Sequence, residues 1–252
     1  MKGLFQKYGI IVLIGVGLII LYILLSQTFD ILSDFLFPDL MDVIRLIPKY
    51  IGTLFLNLRS SLFLLVIAFI LAVICGVGLG VLIGLKSGLR KNVTPYINAF
   101  SAVPVPLLTP YAINIFSTFK MASIFLIWLA AFWVILATTI GAVVSIDKRY
   151  LENAETLEMG HVRKLFRVVL PAASPAVFTG CEIALTLSFM MLAVAEMFGA
   201  SSGLAYFIQY YSDFARFDLV MLGFLFTAIV LVLIMYLFSR IKRRVLHWTI
   251  NN

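Results

Sequence analysis

The residues able to do chemistry in this chain gather in one stretch, 151–171, LENAETLEMGHVRKLFRVVLP. It carries Glu152, Glu155, Glu158, Arg163, Lys164 and Arg167 between two long apolar runs. These types and spacings suit binding better than catalysis. The chain has no glycine-rich phosphate-cradling loop, no H-E-x-x-H and no cluster with metal-ligand spacing. His161 and His247 stand alone in basic surroundings. The apolar residues Leu151, Ala154, Leu157, Val162, Leu165 and Val169 recur at intervals of three to five. That periodicity predicts a short amphipathic helix, a turn near Gly160 and a second helical piece. Asp147 is placed to cap the first helix, and Pro171 and Pro175 mark a break before the next apolar run. Such a helix can lie on lipid headgroups or fill a groove on a soluble partner.

Hydrophobic residues make up 63% of the 252 and charged residues only 12%. Mean hydropathy is +1.10. A soluble domain is about one quarter charged, so the chain is read as a multi-spanning, all-α membrane protein. No charged stretch is long enough for a separate soluble domain, and 1–252 is read as one domain. Cys75 and Cys181 each lie in an apolar run, which implies neither a disulfide nor a metal site. A net charge of +7 raises the question of nucleic acid, but where the charges fall argues for membrane lipid instead.

Six runs approach the about 20 apolar residues that a transmembrane helix requires: 9–25, 62–85, 96–116, 121–144, 177–198 and 219–238. The first follows Lys2 and Lys7 and continues without a small-residue cleavage site, so a retained span is expected rather than a signal peptide. With the N-terminus inside, 14 of the 19 basic residues fall on the cytoplasmic side, as the excess of Lys and Arg in cytoplasmic loops requires. Both termini and the 145–171 loop, between spans four and five, are then cytoplasmic. The outer segment 26–59 holds four aspartates, and its tail, 41–59, is expected to lie along the outer surface. Residues 206–218 carry Tyr206, Tyr210, Tyr211, Phe214 and Phe217, an interfacial belt, and the basic run after Arg240 is an inner-leaflet anchor.

Within the spans, Gly76, Gly78, Gly80 and Gly84 predict close helix packing. The third span carries Pro95, Pro104, Pro106 and Pro110, with Asn98, Ser101, Thr109 and Asn114 among them. Each interior proline removes a backbone donor, so this span must be kinked or partly unwound inside the bundle. In the fifth span, Glu182 near the inner end is expected to snorkel or pair with a loop cation such as Arg167. Glu196, near the outer end beside GASSG, is read as holding the outer turn ahead of contacting a solute.

The run Glu152-Asn153-Ala154, Leu-Pro at 170–171, and TGCEIALTLSFMMLAVAEMFGASSGLAYFI from Thr179 resemble the permease subunits of bacterial ABC importers. The likeness covers about 54–240 and points to the branch handling nitrate, taurine and alkanesulfonates. In that family the loop follows E-A-A, three residues, then G. Here Asn153 replaces an alanine and Glu158 falls where the glycine belongs, so the bend is expected to move to Gly160. The resemblance implies a pore formed with a second, identical or related, permease copy in the inner membrane, served by separate ABC ATPase subunits and an extracytoplasmic binding protein. ATP would be bound by the partner, and the chain would be neither an enzyme nor a cofactor carrier. Because the charged loop also falls on the cytoplasmic side, the partner-docking reading is preferred. Its expected docking residues are Glu152, Ala154, Leu157, Glu158, Gly160, Arg163 and Lys164. Expected pore-lining residues are Ser101, Pro104, Pro106, Thr109, Asn114, Ser188 and Glu196. The solute is expected to be a sulfonate or nitrate-like anion, or a vitamin precursor. A secondary transporter, a vitamin importer's coupling subunit and a membrane scaffold are the competing readings.

Overall fold

The computed structural model describes residues 35–249, together with Gly17, and every regular element in that range is helical. Apart from Gly17, the expected span at 9–25 lies outside the described residues. Leu40–Leu85 (α1) is a single helix of 46 residues, more than twice the about 20 needed to cross a bilayer. The tail at 41–59, expected on the outer surface, is therefore continuous with the span that follows, and the helix carries Pro48 without ending there.

Ser87–Ser101 (α2), a tight turn Val105–Leu108 and Thr109–Ile115 (α3) occupy the proline-rich region. The third span is broken, as its prolines require. Pro104 precedes the tight turn in an extended conformation, and Pro110 sits in the first turn of α3, where its missing amide costs nothing. Phe119–Val144 (α4) follows, capped by Thr118, whose side chain accepts from the Met121 amide. The loop helices are Lys148–Thr156 (α5) and His161–Lys164 (α6). A π-helical turn, Leu165–Val169, leads into Leu170–Met197 (α7). Leu204–Asp213 (α8), Phe217–Val245 (α9) and a short turn His247–Thr249 complete the chain. Among the described residues four helical stretches are long and apolar enough to cross a membrane: Leu40–Leu85, Phe119–Val144, His161–Met197 and Phe217–Val245.

The helices sort into two compact units. The smaller combines the described chain up to Phe55 with Phe207–Ala228. Its core is Val43, Leu54, Phe207, Leu219 and Leu222, with Tyr50 and Tyr211 packed edge to face at 6.0 Å between ring centroids.

The larger unit takes Leu56–Tyr206 and the chain from Ile229. Its centre is the packing of α4 on α7 around Leu126, Ile127, Leu185, Met191 and Leu192, continuing through Ala131, Ile135, Cys181 and Ala184. The glycines of α1 lie against α4. A Cβ on Gly76 would stand 2.8 Å from Ile135 Cγ2, one on Gly80 2.6 Å from Thr139 Cβ, and one on Gly84 2.7 Å from Val143 Cβ. Gly78, between them, faces open space. Gly80→Val is therefore expected to force the helices apart and cost about 1–3 kcal/mol, lowering the unfolding temperature in detergent. Gly78→Val, on the open face, should leave that temperature where it was.

Candidate functional site

The 151–171 loop folds much as its periodicity requires. Asp147 caps α5, its side chain accepting from the Arg149 amide at 3.0 Å. The helix turns Leu151 and Ala154 inward. Ala154 is only 2% exposed, and Leu151 packs against the cluster of Val81, Ala142, Val143, Val169 and Ala173.

The helix ends in two reciprocal backbone bonds. The Met159 amide donates to the Ala154 carbonyl at 3.1 Å and the Glu158 amide to that of Glu155 at 2.9 Å. This closure needs a left-handed residue at the position after the cap, normally glycine. Glu158 supplies it, with φ of 48°. The bend has not moved to Gly160, whose φ is −58°. Glu158→Gly is expected to relieve about 1 kcal/mol of left-handed strain. It should slow hydrogen exchange of the 154–159 amides with little other change, because the Glu158 side chain is exposed.

Lys164 Nζ lies 2.7 Å from Glu155 Oε1 and ties α6 back to α5. The hydrogen bond and charge of Lys164 hold the Glu155 carboxyl below its usual range. The pair is thus complete above the ordinary carboxylate range and is lost only as pH falls through the lowered value. Lys164 is engaged within the loop, whereas Glu152 and Arg163 remain at the surface. So do four large apolar side chains: Tyr150, Leu157, Val162 and Phe166, 61 to 70% exposed.

The expected pore residues separate. Ser101, Pro104 and Pro106 line a hollow of about 610 Å³ together with Trp133 of α4 and Met190 and Val194 of α7. Phe100 stacks on Trp133, planes 8° apart. Thr109 and Ser188 are buried in packing, and the Ser188 hydroxyl donates to the Ala184 carbonyl at 2.8 Å. Asn114 is exposed and donates to the Pro110 carbonyl at 2.7 Å. Glu182 pairs with Lys242 at 2.8 Å, not with Arg167.

Glu196 is 1% exposed and holds the turn that leads into α8. Its Oε1 accepts from the Ser61 hydroxyl at 2.5 Å and its Oε2 from the Ala205 amide at 2.9 Å. Ser61 Oγ in turn accepts from the Leu204 amide at 2.9 Å, and Asn57 Oδ1 from the Gly203 amide at 2.8 Å. Three consecutive amides at the start of α8, which no intrahelical carbonyl can reach, are thereby satisfied by side chains of α1 and α7. Gly203 has φ of +138°, and a Cβ there would strike the Glu196 carboxylate. Asn57 and Ser61 were not expected in this role. Their four-residue spacing in an apolar run was the available signal, since it puts both on one helix face.

Among the described residues no three His, Cys, Asp or Glu side chains gather to hold a metal ion. The family described as binding-protein-dependent transport system inner membrane component matches residues 76–249. The chain is 29% identical to SsuC of Bacillus subtilis (strain 168), named as an aliphatic sulfonates transport permease, over 78% of this chain and 71% of that one. It is 28% identical to the taurine transport system permease TauC of Escherichia coli (strain K12), over 61% of this chain and 56% of TauC. The match to a nitrate import permease, NrtB of Leptolyngbya laminosa, is 32% identical over 45% of this chain and 41% of that one. The last two matches thus span about half of those relatives' length. Among solved structures, a chain of an inward-facing MetNI methionine ABC transporter superimposes with TM-score 0.67 at 19% identity, covering 79% of this chain and 97% of that one. That likeness concerns the fold alone.

Proposed function

Because the chain belongs to the binding-protein-dependent transport system inner membrane components, we propose that it is the pore-forming permease subunit of an ATP-driven importer. It is a multi-pass membrane protein of ABC-transporter permease type. In our reading the whole chain is one permease domain of six spans with both termini in the cytoplasm of a bacterial cell, the third span being the broken α2–α3 region. Two copies, or this chain and a related permease, enclose the path. ABC ATPases dock on the 145–171 loop, and an extracytoplasmic binding protein delivers a small polar solute, a sulfonate or nitrate-like anion or a vitamin precursor. The names of the similar permeases favour the anions.

The observation that carries the coupling part is the exposed apolar group of Tyr150, Leu157, Val162 and Phe166 on an otherwise charged loop. Leu157 and its neighbours would enter the ATPase cleft, with Glu152 and Arg163 at its rim. Ala154, Glu158 and Gly160 would shape the loop, and Lys164 would brace it. Closure of the ATPases would then move α5, and through the π-helical turn α7. Ser101, Pro104 and Pro106 would border the path, and Thr109, Asn114, Ser188 and Glu196 would hold the surrounding helices. ATP would be bound by the partner alone.

Purifying the tagged chain from its own cells in mild detergent tests this. An ATPase with a phosphate-binding loop should accompany it, and uptake by the reconstituted complex should require ATP. Recovery of the chain alone, with uptake that follows an ion gradient, would overturn the reading.

A further inference from the structure

Along the side of the loop that carries Tyr150 and Leu157 lies a second hollow, of about 620 Å³, bounded by Asp147, Tyr150, Asn153, Ala154, Leu157 and Arg167. All but one of its lining residues come from the loop or the ends of the helices it joins. The exception is Trp248, from the far end of the chain. We propose that Trp248 is a positioning residue for the docking loop, lining the hollow beside Ala154 and Leu157 so that α5 is braced by the segment that follows α9 as well as by α7. This deepens the function proposed above, since the loop it braces is the one assigned to ATPase docking.

Two features place the indole there. The cytoplasmic end of α9 is fixed to α7, because Lys242 Nζ reaches Glu182 Oε2 at 2.8 Å and Thr179 Oγ1 at 3.2 Å. One turn later Leu246 is buried, and its amide donates to the Lys242 carbonyl at 2.9 Å. The chain therefore leaves α9 from an anchored point. His247 continues the anchor, its Nδ1 3.2 Å from the Arg244 carbonyl and its ring edge-on to the indole at 5.2 Å between centroids.

The loop needs such a support. Helix α5 has nine residues, shorter than the about 12–15 below which an isolated helix is marginal in water. Its C-terminal closure is strained at Glu158. Its inward residues, Leu151 and Ala154, fix one side only. The side carrying Tyr150 and Leu157 borders the hollow, where the indole is the large apolar surface supplied from outside the loop. Tryptophan suits the position, since it brings a broad apolar face and a single polar edge that can stay wet. Trp248 is about half exposed.

Limited trypsin digestion of the full-length chain in lipid nanodiscs reads this bracing, because Arg149, Arg163 and Lys164 lie in the loop. Trp248→Ala is expected to speed cleavage there about tenfold, the factor expected when a local opening becomes easier by one decade. Trp248→Phe should restore slow cleavage, and the unfolding temperature should stay at the wild-type value. In a Trp128→Phe, Trp133→Phe background, emission from the remaining Trp248 should shift to the red on Asn153→Asp, which adds a charge to the wall of the hollow. Loop cleavage unchanged in Trp248→Ala, or emission indifferent to Asn153→Asp, would overturn the bracing. Faster cleavage combined with normal ATPase association of Leu157→Asp would uphold the bracing and overturn the docking assignment instead.

Discussion

Leu157→Asp is expected to abolish ATPase association and ATP-driven uptake while leaving the chain folded in the membrane. Leu157 is 69% exposed at the end of α5, so little of the fold depends on it. In a docked complex its burial contributes about 1.5–3 kcal/mol, and an unpaired carboxylate in its place adds a further penalty of similar size or more. A combined loss of about 4 kcal/mol lowers affinity about a thousandfold, enough to empty the complex during purification. Asp beside the carbonyl end of a helix also costs about 0.3–1 kcal/mol within the loop itself. Leu157→Asn separates the two effects, since it removes the apolar contact without the charge and should still weaken association strongly. The readout is ATPase co-purification together with ATP hydrolysis in proteoliposomes. Full stimulation by Leu157→Asp would sink the assignment. Ala154 is the wrong place for this test, although its apolar register makes it look equivalent. It is buried, and Ala154→Asp would report collapse of α5.

Glu196→Ala is expected to be the most damaging single substitution to stability among those considered. It leaves the Ser61 hydroxyl and the Ala205 amide without their acceptor. Each orphaned buried donor costs about 1–3 kcal/mol, so a loss of about 2–6 kcal/mol is expected even before the vacated volume is counted. Glu196→Gln should fall between, because its single carbonyl can replace one acceptor while its amide group turns a donor toward a donor. The measurements are the unfolding temperature in detergent and hydrogen exchange of the Gly203, Leu204 and Ala205 amides, which should lose their protection together. If both stay as in the wild type while uptake falls, Glu196 acts on the solute and its role in the turn is secondary.

How much of this was legible in the sequence depends on whether a feature is local. The π-helical turn aside, the loop was readable: its apolar register, its Asp147 cap and its turn follow from spacing over a few residues. The break in the third span was readable for the same reason, since proline acts on its own turn. Where the bend falls was misjudged. Glycine tolerates the left-handed conformation best, which directed attention to Gly160. Yet the closing bonds of α5 fix which residue must adopt it, and Glu158 occupies that position. Partners far apart in the chain were invisible. Nothing near Glu182 in sequence indicates Lys242, and nothing near Glu196 indicates Ser61. The pore candidates divide similarly: polarity selected Thr109 and Ser188, but only packing reveals that both are enclosed within this chain. The extent of α1 was missed because its first half carries charges in an amphipathic pattern. That pattern distinguishes a buried from an exposed face but does not say where a helix stops.

The side-chain acceptors at the start of α8 have a consequence for biosynthesis. Asn57 and the Gly203 amide it serves are 146 residues apart. At about 5–20 residues per second, a ribosome needs about 7–30 s to deliver the second after the first. Throughout that interval the start of α8 does not yet exist, so neither Asn57 nor Ser61 can accept from its amides. The order of synthesis thus makes the contacts of Asn57, Ser61 and Glu196 with the 203–205 amides late ones, and a chain cut short before residue 203 cannot form them at all.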